Sequence, residues 1–183
     1  MVSDSKAPPT VGRGPVIPGD ALVLLIGPAG AGKTTLARRC FPRDAVLSSD
    51  AFRERVSGDE ADQSATDAAF RLLHAAADER LAGGLLTVVD ATNVLASARR
   101  PLLDLAERHD RPAVALVFDL PLGACLAWNA ARPGRTVPAR VVRRQHRAMR
   151  RSLPHLPAEG VAVHVLSSAE AVSRFRATEA KGG

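Results

Sequence analysis

The chain has 183 residues, of which 46% are hydrophobic, and its formal net charge at pH 7 is +6. This length predicts one domain of the usual ~150 residues, with enough apolar side chains for a full core without disulfides. No run approaches the ~18 consecutive apolar residues of a membrane span, and the start of the chain lacks an apolar signal segment. The two cysteines, Cys40 and Cys125, do not have the spacing of metal ligands. These features exclude a membrane protein and predict a cytoplasmic one with reduced thiols.

Short apolar runs alternate with helical patterns through the middle of the chain. The runs predict strands buried on both faces at 21–26, 45–48, 85–89, 113–118 and 161–166. The helical patterns lie near 33–40, 65–82, 97–109, 122–131, 138–152 and 169–177. This alternation predicts an α/β domain over residues 21–177, with a five-stranded parallel sheet between two layers of helices. Residues 1–20 and 178–183 are expected to be flexible tails.

A glycine-rich loop follows the first predicted strand. Residues 27–35 read GPAGAGKTT and match G-x-x-x-x-G-K-[ST], with a strand before and a helix after, as a phosphate-binding loop requires. The glycines let backbone N–H groups turn toward a phosphate, and the helix adds the positive end of its dipole. Lys33 would reach the β- and γ-phosphates, and the Thr34 hydroxyl would bind Mg²⁺. The residues predicted to hold a nucleoside triphosphate are Gly27, Gly30, Ala31, Gly32, Lys33, Thr34 and Thr35.

Carboxylates follow the second and third predicted strands. Asp50 and Asp90 should both face the phosphate-binding loop, because ligands bind beyond the carboxyl ends of parallel strands. Asp50, interpreted as lying at the end of the strand beside that loop, is the better candidate for a base that accepts a proton from an attacking hydroxyl. Asp90 stands where an aspartate that organises Mg²⁺ would be. Capping of the following helix is the alternative role for either residue.

The basic residues are concentrated near the C-terminal third, and no acidic residue occurs between Asp119 and Glu159. This concentration favours a polyanionic partner, with a solvated basic face as the alternative. The turn-rich stretch 132–138 carries two of the arginines and is typical of a mobile lid that neutralises a transferring phosphoryl group. An ordinary basic turn is the alternative there. The eight arginines of this segment are Arg132, Arg135, Arg140, Arg143, Arg144, Arg147, Arg150 and Arg151.

The run from Gly27 to about Leu166 resembles the 5′-hydroxyl polynucleotide kinase module of bacterial polynucleotide kinase-phosphatases, the end-healing enzymes of RNA repair. A phosphate-binding loop alone is common, whereas SSDxxR, the Asp62-Gln63 pair and VVDATN together are far more specific. The segments that carry the resemblance are GPAGAGKTTLARRCF, VLSSDAFRERVSGDEADQSAT, AAFRLLH, LTVVDATNVLASARRPLLDLA, VALVFDLP and the later arginine pair.

The resemblance implies a three-layer α-β-α P-loop kinase fold with a helical lid near 132–152, and ATP and Mg²⁺ as cofactors. It implies that Lys33 and Thr34 bind the ATP phosphates and Mg²⁺, and that Asp50 is the general base for the 5′-hydroxyl. The lid arginines Arg132 and Arg135 would engage ATP. The resemblance assigns Arg53 to the acceptor, where it would contact a phosphate of the nucleic acid strand. Asp90, Thr92 and Asn93 would support this binding of the acceptor.

Three functions remain open on the sequence. The first is a kinase of polynucleotide 5′-hydroxyl ends, with RNA and DNA both possible because tyrosine is absent and aromatic residues are scarce. The second is a kinase of a small hydroxylated molecule such as a sugar acid, a nucleoside or an antibiotic. The third is a non-catalytic NTP-dependent module that binds RNA. The family's large proteins continue into phosphatase and ligase-like domains, so a separate polypeptide is a possible partner for those steps.

Overall fold

Strands and helices alternate along the chain in a computed structural model, which describes residues 15–58, 66–133 and 136–180. The strands are Val16–Pro18 (β1), Leu22–Ile26 (β2), Val46–Ser48 (β3), Thr87–Asp90 (β4), Ala113–Phe118 (β5), Ala162–Leu166 (β6) and Thr178–Ala180 (β7). The α-helices are Lys33–Cys40 (α1), Ser49–Ser57 (α2), Thr66–Ala82 (α3), Ala96–Arg108 (α4), Leu122–Ala130 (α5), Ala139–Ser152 (α6) and Ala169–Arg174 (α7). No helix of the described residues is long and apolar enough to cross a membrane.

Five strands form one parallel sheet in the order β3-β4-β2-β5-β6. β2 is therefore central, and all of its residues are buried. Successive side chains of a strand point to opposite faces of the sheet. Leu22, Leu24 and Ile26 accordingly join one apolar cluster, while Val23 and Leu25 join the other. Helices cover both clusters, which gives the three layers that the sequence predicts.

The loop that follows β2 lies at the carboxyl edge of this sheet. β4 and β5 pair with β2 on its two sides, and Leu25 is in register with Asp90. Asp90, the last residue of β4, therefore lies at the same edge as the start of the glycine-rich loop. This topology places the predicted phosphate-binding residues and the residues after β4 next to each other.

The structure differs from the sequence-based expectation at both ends of the chain. Val16–Pro18, within the expected flexible N-terminal tail, forms β1 and pairs in parallel with Thr178–Ala180, within the expected C-terminal tail. Ile17 is buried in the core cluster, and this burial explains why the segment is ordered. The domain thus begins before residue 21 and extends beyond residue 177.

Candidate active site

A cavity of about 1160 Å³ opens at the carboxyl edge of the sheet. The glycine-rich loop and α1 form one part of its lining, α2, α3 and the residues around the end of β4 form another, and α5, α6 and α7 with the segment between α5 and α6 contribute the rest. The residues proposed from the sequence that line it are Gly30, Ala31, Gly32, Lys33, Thr34, Thr35, Asp50, Arg53, Asp90, Thr92 and Arg132. The fold thus brings together residues that are up to about a hundred positions apart in the chain.

The glycine-rich loop is shaped by two residues with left-handed backbone. Gly30 has φ +77° and Gly32 has φ +85°, and the latter precedes the first residue of α1. A Cβ at position 30 would lie 2.1 Å from the Cys125 carbonyl oxygen, so this position admits only glycine. The loop therefore lies directly on the backbone of α5, with the N-terminus of α1 behind it. Such a turn of backbone N–H groups at a helix N-terminus fits a phosphate group.

The side chain of Lys33 is folded back under this loop. Its Nζ donates to the carbonyl oxygens of Gly27 at 2.9 Å and Pro28 at 2.8 Å, and the residue is only 8% exposed. Burial lowers the pKa of Lys33 to about 8, although the nearby Asp90 carboxylate acts in the opposite direction. Because Lys33 also lines the cavity, its ammonium group can bind a phosphate anion there.

Thr34 lines a small recess together with oxygen-bearing side chains and two arginines. The recess has a volume of about 130 Å³, shares lining residues with the main cavity, and includes Thr34, Ser48, Asp50, Asp90, Arg38 and Arg132 among others. Hydroxyl and carboxylate oxygens are the ligands that Mg²⁺ prefers, and the ion usually shares them with substrate phosphates. The oxygens of Thr34, Asp50 and Asp90 are therefore the groups that would hold a magnesium ion at this recess.

Asp50 and Arg53 lie one turn apart on α2 and face the cavity. Arg53 donates to Asp50 Oδ1, and Arg132 Nη2 lies 3.8 Å from Asp50 Oδ2. The sequence-based placement of Asp50 at the end of the strand beside the glycine-rich loop was wrong. β4 lies between β3 and β2, and Asp50 belongs to the first turn of α2 rather than to a strand. The α2 helix nevertheless brings this carboxylate to the cavity that Lys33 and Thr34 line.

The residues after β4 act in two ways. Asp90 and Thr92 line the cavity, and the Thr92 carbonyl accepts from the Gly27 N–H at 3.0 Å. Asn93 is 2% exposed, has φ +47°, and donates its side-chain amide to the Leu25 carbonyl at 3.0 Å. Asn93 therefore supports the strand that enters the glycine-rich loop, and its amide is directed to backbone rather than to the cavity.

A buried arginine that the sequence analysis did not select stabilises this region. Arg99 is fully buried, and its guanidinium donates to the Asn93 carbonyl at 2.7 Å, to Ser152 Oγ at 2.7 Å and to both carboxylate oxygens of Glu159. It thus links the turn after β4 to the end of α6. Its spacing from Leu102, three residues later on the apolar face of α4, is the signal that could have identified it.

Gln145 connects α6 to the glycine-rich loop. Its Oε1 accepts from the Ala29 N–H at 2.9 Å, and its side chain lines the cavity. The spacing of side chains predicts one buried face on the helix at 138–152, formed by Val141, Val142, Gln145, Met149 and Leu153. Val142 and Met149 are buried, and the other three are half-buried. A single amide within an otherwise apolar stripe is the signal for its contact, but the partner in the loop is 116 positions away.

The segment between α5 and α6 carries the first predicted lid arginine. Arg132 lines the cavity, whereas Arg135 and Gly134 lie outside the described residues, as do Asp62 and Gln63. Asn129 fixes the base of the segment: its Nδ2 donates to the Val137 carbonyl at 2.8 Å, and its Oδ1 accepts from the Val137 N–H at 3.1 Å. The side chains of α6 that remain exposed are Arg140, Arg143, Arg144, Arg147, Arg150 and Arg151.

The sequence matches the family model described as the AAA domain over residues 22–156, which is most of the chain. No curated protein matches it at a significant level. The matched range runs from β2 to the segment after α6 and so contains the cavity-lining residues of the loop, of α2 and of the strand end at Asp90.

Solved structures show the same fold at low sequence identity. A chain of the Pnkp1/Rnl/Hen1 RNA repair complex superposes with a TM-score of 0.65 at 18% identity, over 80% of this chain and 47% of that one. The AvrRxo1-ORF1:AvrRxo1-ORF2 complex with ATP gives 0.63 at 16% identity, over 87% and 56%. A gluconokinase from Sinorhizobium meliloti 1021 gives 0.55 at 17% identity, over 87% and 89%.

The described chain therefore spans about half the length of the first of these structures and nearly the whole length of the gluconokinase. At these identities the likeness concerns the fold, and the residues of the cavity must be interpreted from their own geometry. The family match and the five-stranded parallel sheet agree on one conclusion: the chain belongs to the AAA domain family and has the fold of P-loop kinases.

Proposed function

We propose that this protein is an ATP-dependent kinase that transfers the γ-phosphate to the 5′-hydroxyl end of a polynucleotide. The observation that carries the proposal is the pairing of Asp50 with Arg53 on the first turns of α2, facing the cavity that also contains Lys33. A carboxylate and an arginine opposite a phosphate-binding loop can receive a hydroxyl acceptor and a phosphate attached to it.

The phosphates of ATP fit the loop of residues 27–32, with Lys33 and the N-terminus of α1 as the positive groups. A magnesium ion at the Thr34 hydroxyl would neutralise charge on the phosphate oxygens. The acceptor hydroxyl oxygen attacks the γ-phosphorus, the bond to the β-phosphate oxygen breaks, and ADP leaves. Asp50 accepts the proton that the hydroxyl releases. Phosphoryl transfer of this kind depends mainly on positioning and charge neutralisation, which these side chains supply.

The acceptor is proposed to be a polynucleotide because of where the positive charge lies. Arg53 lines the cavity beside Asp50, where it can bind a phosphate of the acceptor strand, and Arg132 approaches Asp50 from the other side. Six further arginines are exposed on α6, the helix whose Gln145 lines the cavity, and one of the six, Arg150, pairs with Asp119. A small neutral acceptor does not need this additional positive charge, whereas a polyanion gains affinity from each contact.

The proposal is tested with labelled ATP and a panel of acceptors: 5′-hydroxyl RNA, 5′-hydroxyl DNA, a 3′-mononucleotide and small sugar acids. Asp50→Asn keeps the side-chain shape and removes proton acceptance, so we expect the rate on oligonucleotides to fall by about 10²-fold or more while ATP still binds. Asp119→Asn is the matched control, because Asp119 pairs with the exposed Arg150 and does not line the cavity. An unchanged rate for Asp50→Asn contradicts the assignment of the base.

A small hydroxylated molecule is the second candidate acceptor. The gluconokinase structure favours it, since this chain and that one cover each other almost completely. The acceptor panel separates the two functions: transfer to a sugar acid with no response to oligonucleotide length or salt would support the second candidate. Transfer that increases with oligonucleotide length and weakens with salt supports the first.

A further inference from the structure

Three large apolar side chains line the cavity near the start of α1, and we call them the apolar wall. They are Trp128 on α5, Val137 before α6 and Val172 on α7. Trp128 is 40% exposed, although it is a large aromatic side chain, and it lines this cavity. An exposed tryptophan in a cavity next to a glycine-rich loop favours a ligand with an aromatic ring that can stack on it.

The position of this wall relative to the loop is defined by Gly32. A Cβ added at Gly32 would lie 3.7 Å from Trp128 Cζ3 and 3.7 Å from Val172 Cγ1. The tryptophan ring and the valine therefore lie beside Gly32, the residue before the first turn of α1. The wall thus adjoins the loop in which the phosphates of a nucleotide are proposed to lie.

The backbone that carries Trp128 is held firmly. The next residue, Asn129, is 4% exposed and makes two hydrogen bonds to Val137. Arg132, in the segment that follows α5, lines the same cavity. The C-terminal part of α5 and the segment after it thus present an aromatic side chain and a positive charge to the same space.

Resting on the proposed function, we propose that Trp128 is the stacking platform for the purine base of the donor nucleotide. Val172 and Val137 complete the apolar slot, and Arg132 lies toward the phosphates. The free energy of stacking a purine on tryptophan depends little on the exocyclic groups at the edge of the ring, because every base has a π-face.

Two of the polar side chains at this wall donate within the protein, and a third is a carboxylate. The Arg39 guanidinium donates to the Val172 carbonyl, and the Ser173 hydroxyl donates to the Glu170 carbonyl at 3.0 Å. The exposed Glu170 side chain also lines the cavity. Because stacking on Trp128 recognises the face of the base, we expect ATP and GTP to bind within about fivefold of each other.

The experiment uses the emission of Trp128, which is the only tryptophan of the full chain. We titrate the protein with ATP, with GTP and with inorganic tripolyphosphate, which has the charge of the phosphates but no base. The expected result is a large change in emission with both purine nucleotides and little change with tripolyphosphate. Saturable ATP binding that leaves the emission unchanged would overturn the inference.

Trp128→Ala is expected to weaken ATP binding about 10-fold or more in calorimetry, while tripolyphosphate binds as tightly as to the natural protein. Trp128→Phe should restore most of the ATP affinity, because phenylalanine keeps an aromatic face. Leu95→Ala, at another exposed apolar residue that does not line the cavity, is the matched control and should change neither affinity. Equal loss of ATP and tripolyphosphate in Trp128→Ala overturns the platform, since the change would then concern the loop itself.

Failure of the inference is distinguishable from failure of the proposed function. If Trp128 is not the platform, ATP still binds and phosphate transfer still depends on Asp50. If the proposed kinase function is wrong, transfer to every acceptor fails, whereas the emission change with ATP and its dependence on Trp128 are measured without any acceptor.

Discussion

The buried charge of Lys33 is predicted to reduce the stability of the protein. Burial lowers its pKa from the ordinary 10.5 to about 8, so at pH 7 most molecules still carry a buried ammonium group. Bringing that charge into the fold costs the free energy that corresponds to the difference between the two pKa values, about 3 kcal/mol. A side chain of similar length without the charge should relieve most of this cost.

Lys33→Met is the substitution that tests this. It removes the two hydrogen bonds to the Gly27 and Pro28 carbonyls, each worth about 1 kcal/mol, so the net gain in the free energy of unfolding at pH 7 should be between about 1 and 3 kcal/mol. A gain of that size raises Tm by several degrees in a domain of this length. Phosphate transfer should be lost in the same variant, because the proposed function assigns to Lys33 the charge that stabilises the transferring phosphoryl group.

The pH dependence of the free energy of unfolding tests whether the charge of Lys33 is destabilising. Between pH 8 and 10.5 the unfolded chain binds more protons at Lys33 than the folded protein does, so the stability contributed by this residue rises with pH across that window. The advantage of Lys33→Met should therefore be full below pH 8 and shrink as the pH approaches 10. Urea unfolding of both proteins at pH 7, 8.5 and 10, without nucleotide, measures this difference while other groups cancel. A difference that stays constant over this range, or a natural protein that is more stable than the variant at pH 7, refutes the reasoning.

Three further predictions concern other parts of the structure. Gly30→Ala should lower the free energy of unfolding by about 2 kcal/mol or more, because the added Cβ would clash with a carbonyl oxygen. Gly58→Ala, with the same φ and nothing within 4 Å of the added Cβ, is the matched control and should lower it by about 1 kcal/mol. Thermal unfolding measures both. Charge reversal at both Arg143 and Arg147 should raise KM for a long oligonucleotide more than for a mononucleotide, and lower the salt slope by about one per lost contact; equal KM values for the two acceptors would argue against a polynucleotide. Arg99→Met should lower the unfolding free energy by about 3 kcal/mol, because it leaves a carboxylate without its partner, and a variant as stable as the natural protein would show the buried cluster to be unimportant.

Much of the fold follows from the sequence because the strands are buried on both faces. β2 and β5 are unbroken apolar runs, and their limits were predicted within a residue. Helix α2 was missed because its sequence, SDAFRERVS, is mostly polar, and only Phe52 of its apolar side chains is buried. Packing against α3 rather than an apolar stripe of its own accounts for this helix.

The position of the glycine-rich loop in the cavity was predictable because a contiguous motif forms it. The position of the remaining residues depends on the order of the strands in the sheet, which no local sequence pattern encodes. Asp50 reaches the cavity although its strand β3 is at the edge of the sheet and not beside β2. The contacts of Arg99 with Glu159 and of Gln145 with Ala29 join residues 60 and 116 positions apart. No local pattern contains such pairs, so they were found only in three dimensions.

The pairing of β1 with β7 has a mechanical consequence. The two strands run parallel, with Val16 opposite Thr178 and Pro18 opposite Ala180. A force that pulls the chain from the amino side of β1 and from the carboxyl side of β7 drags the strands past each other in opposite directions. Their hydrogen bonds are then loaded together, in shear, instead of opening one after another. A stretched molecule would have to break this clamp and extract Ile17 from the core before tension could reach the sheet that carries the glycine-rich loop.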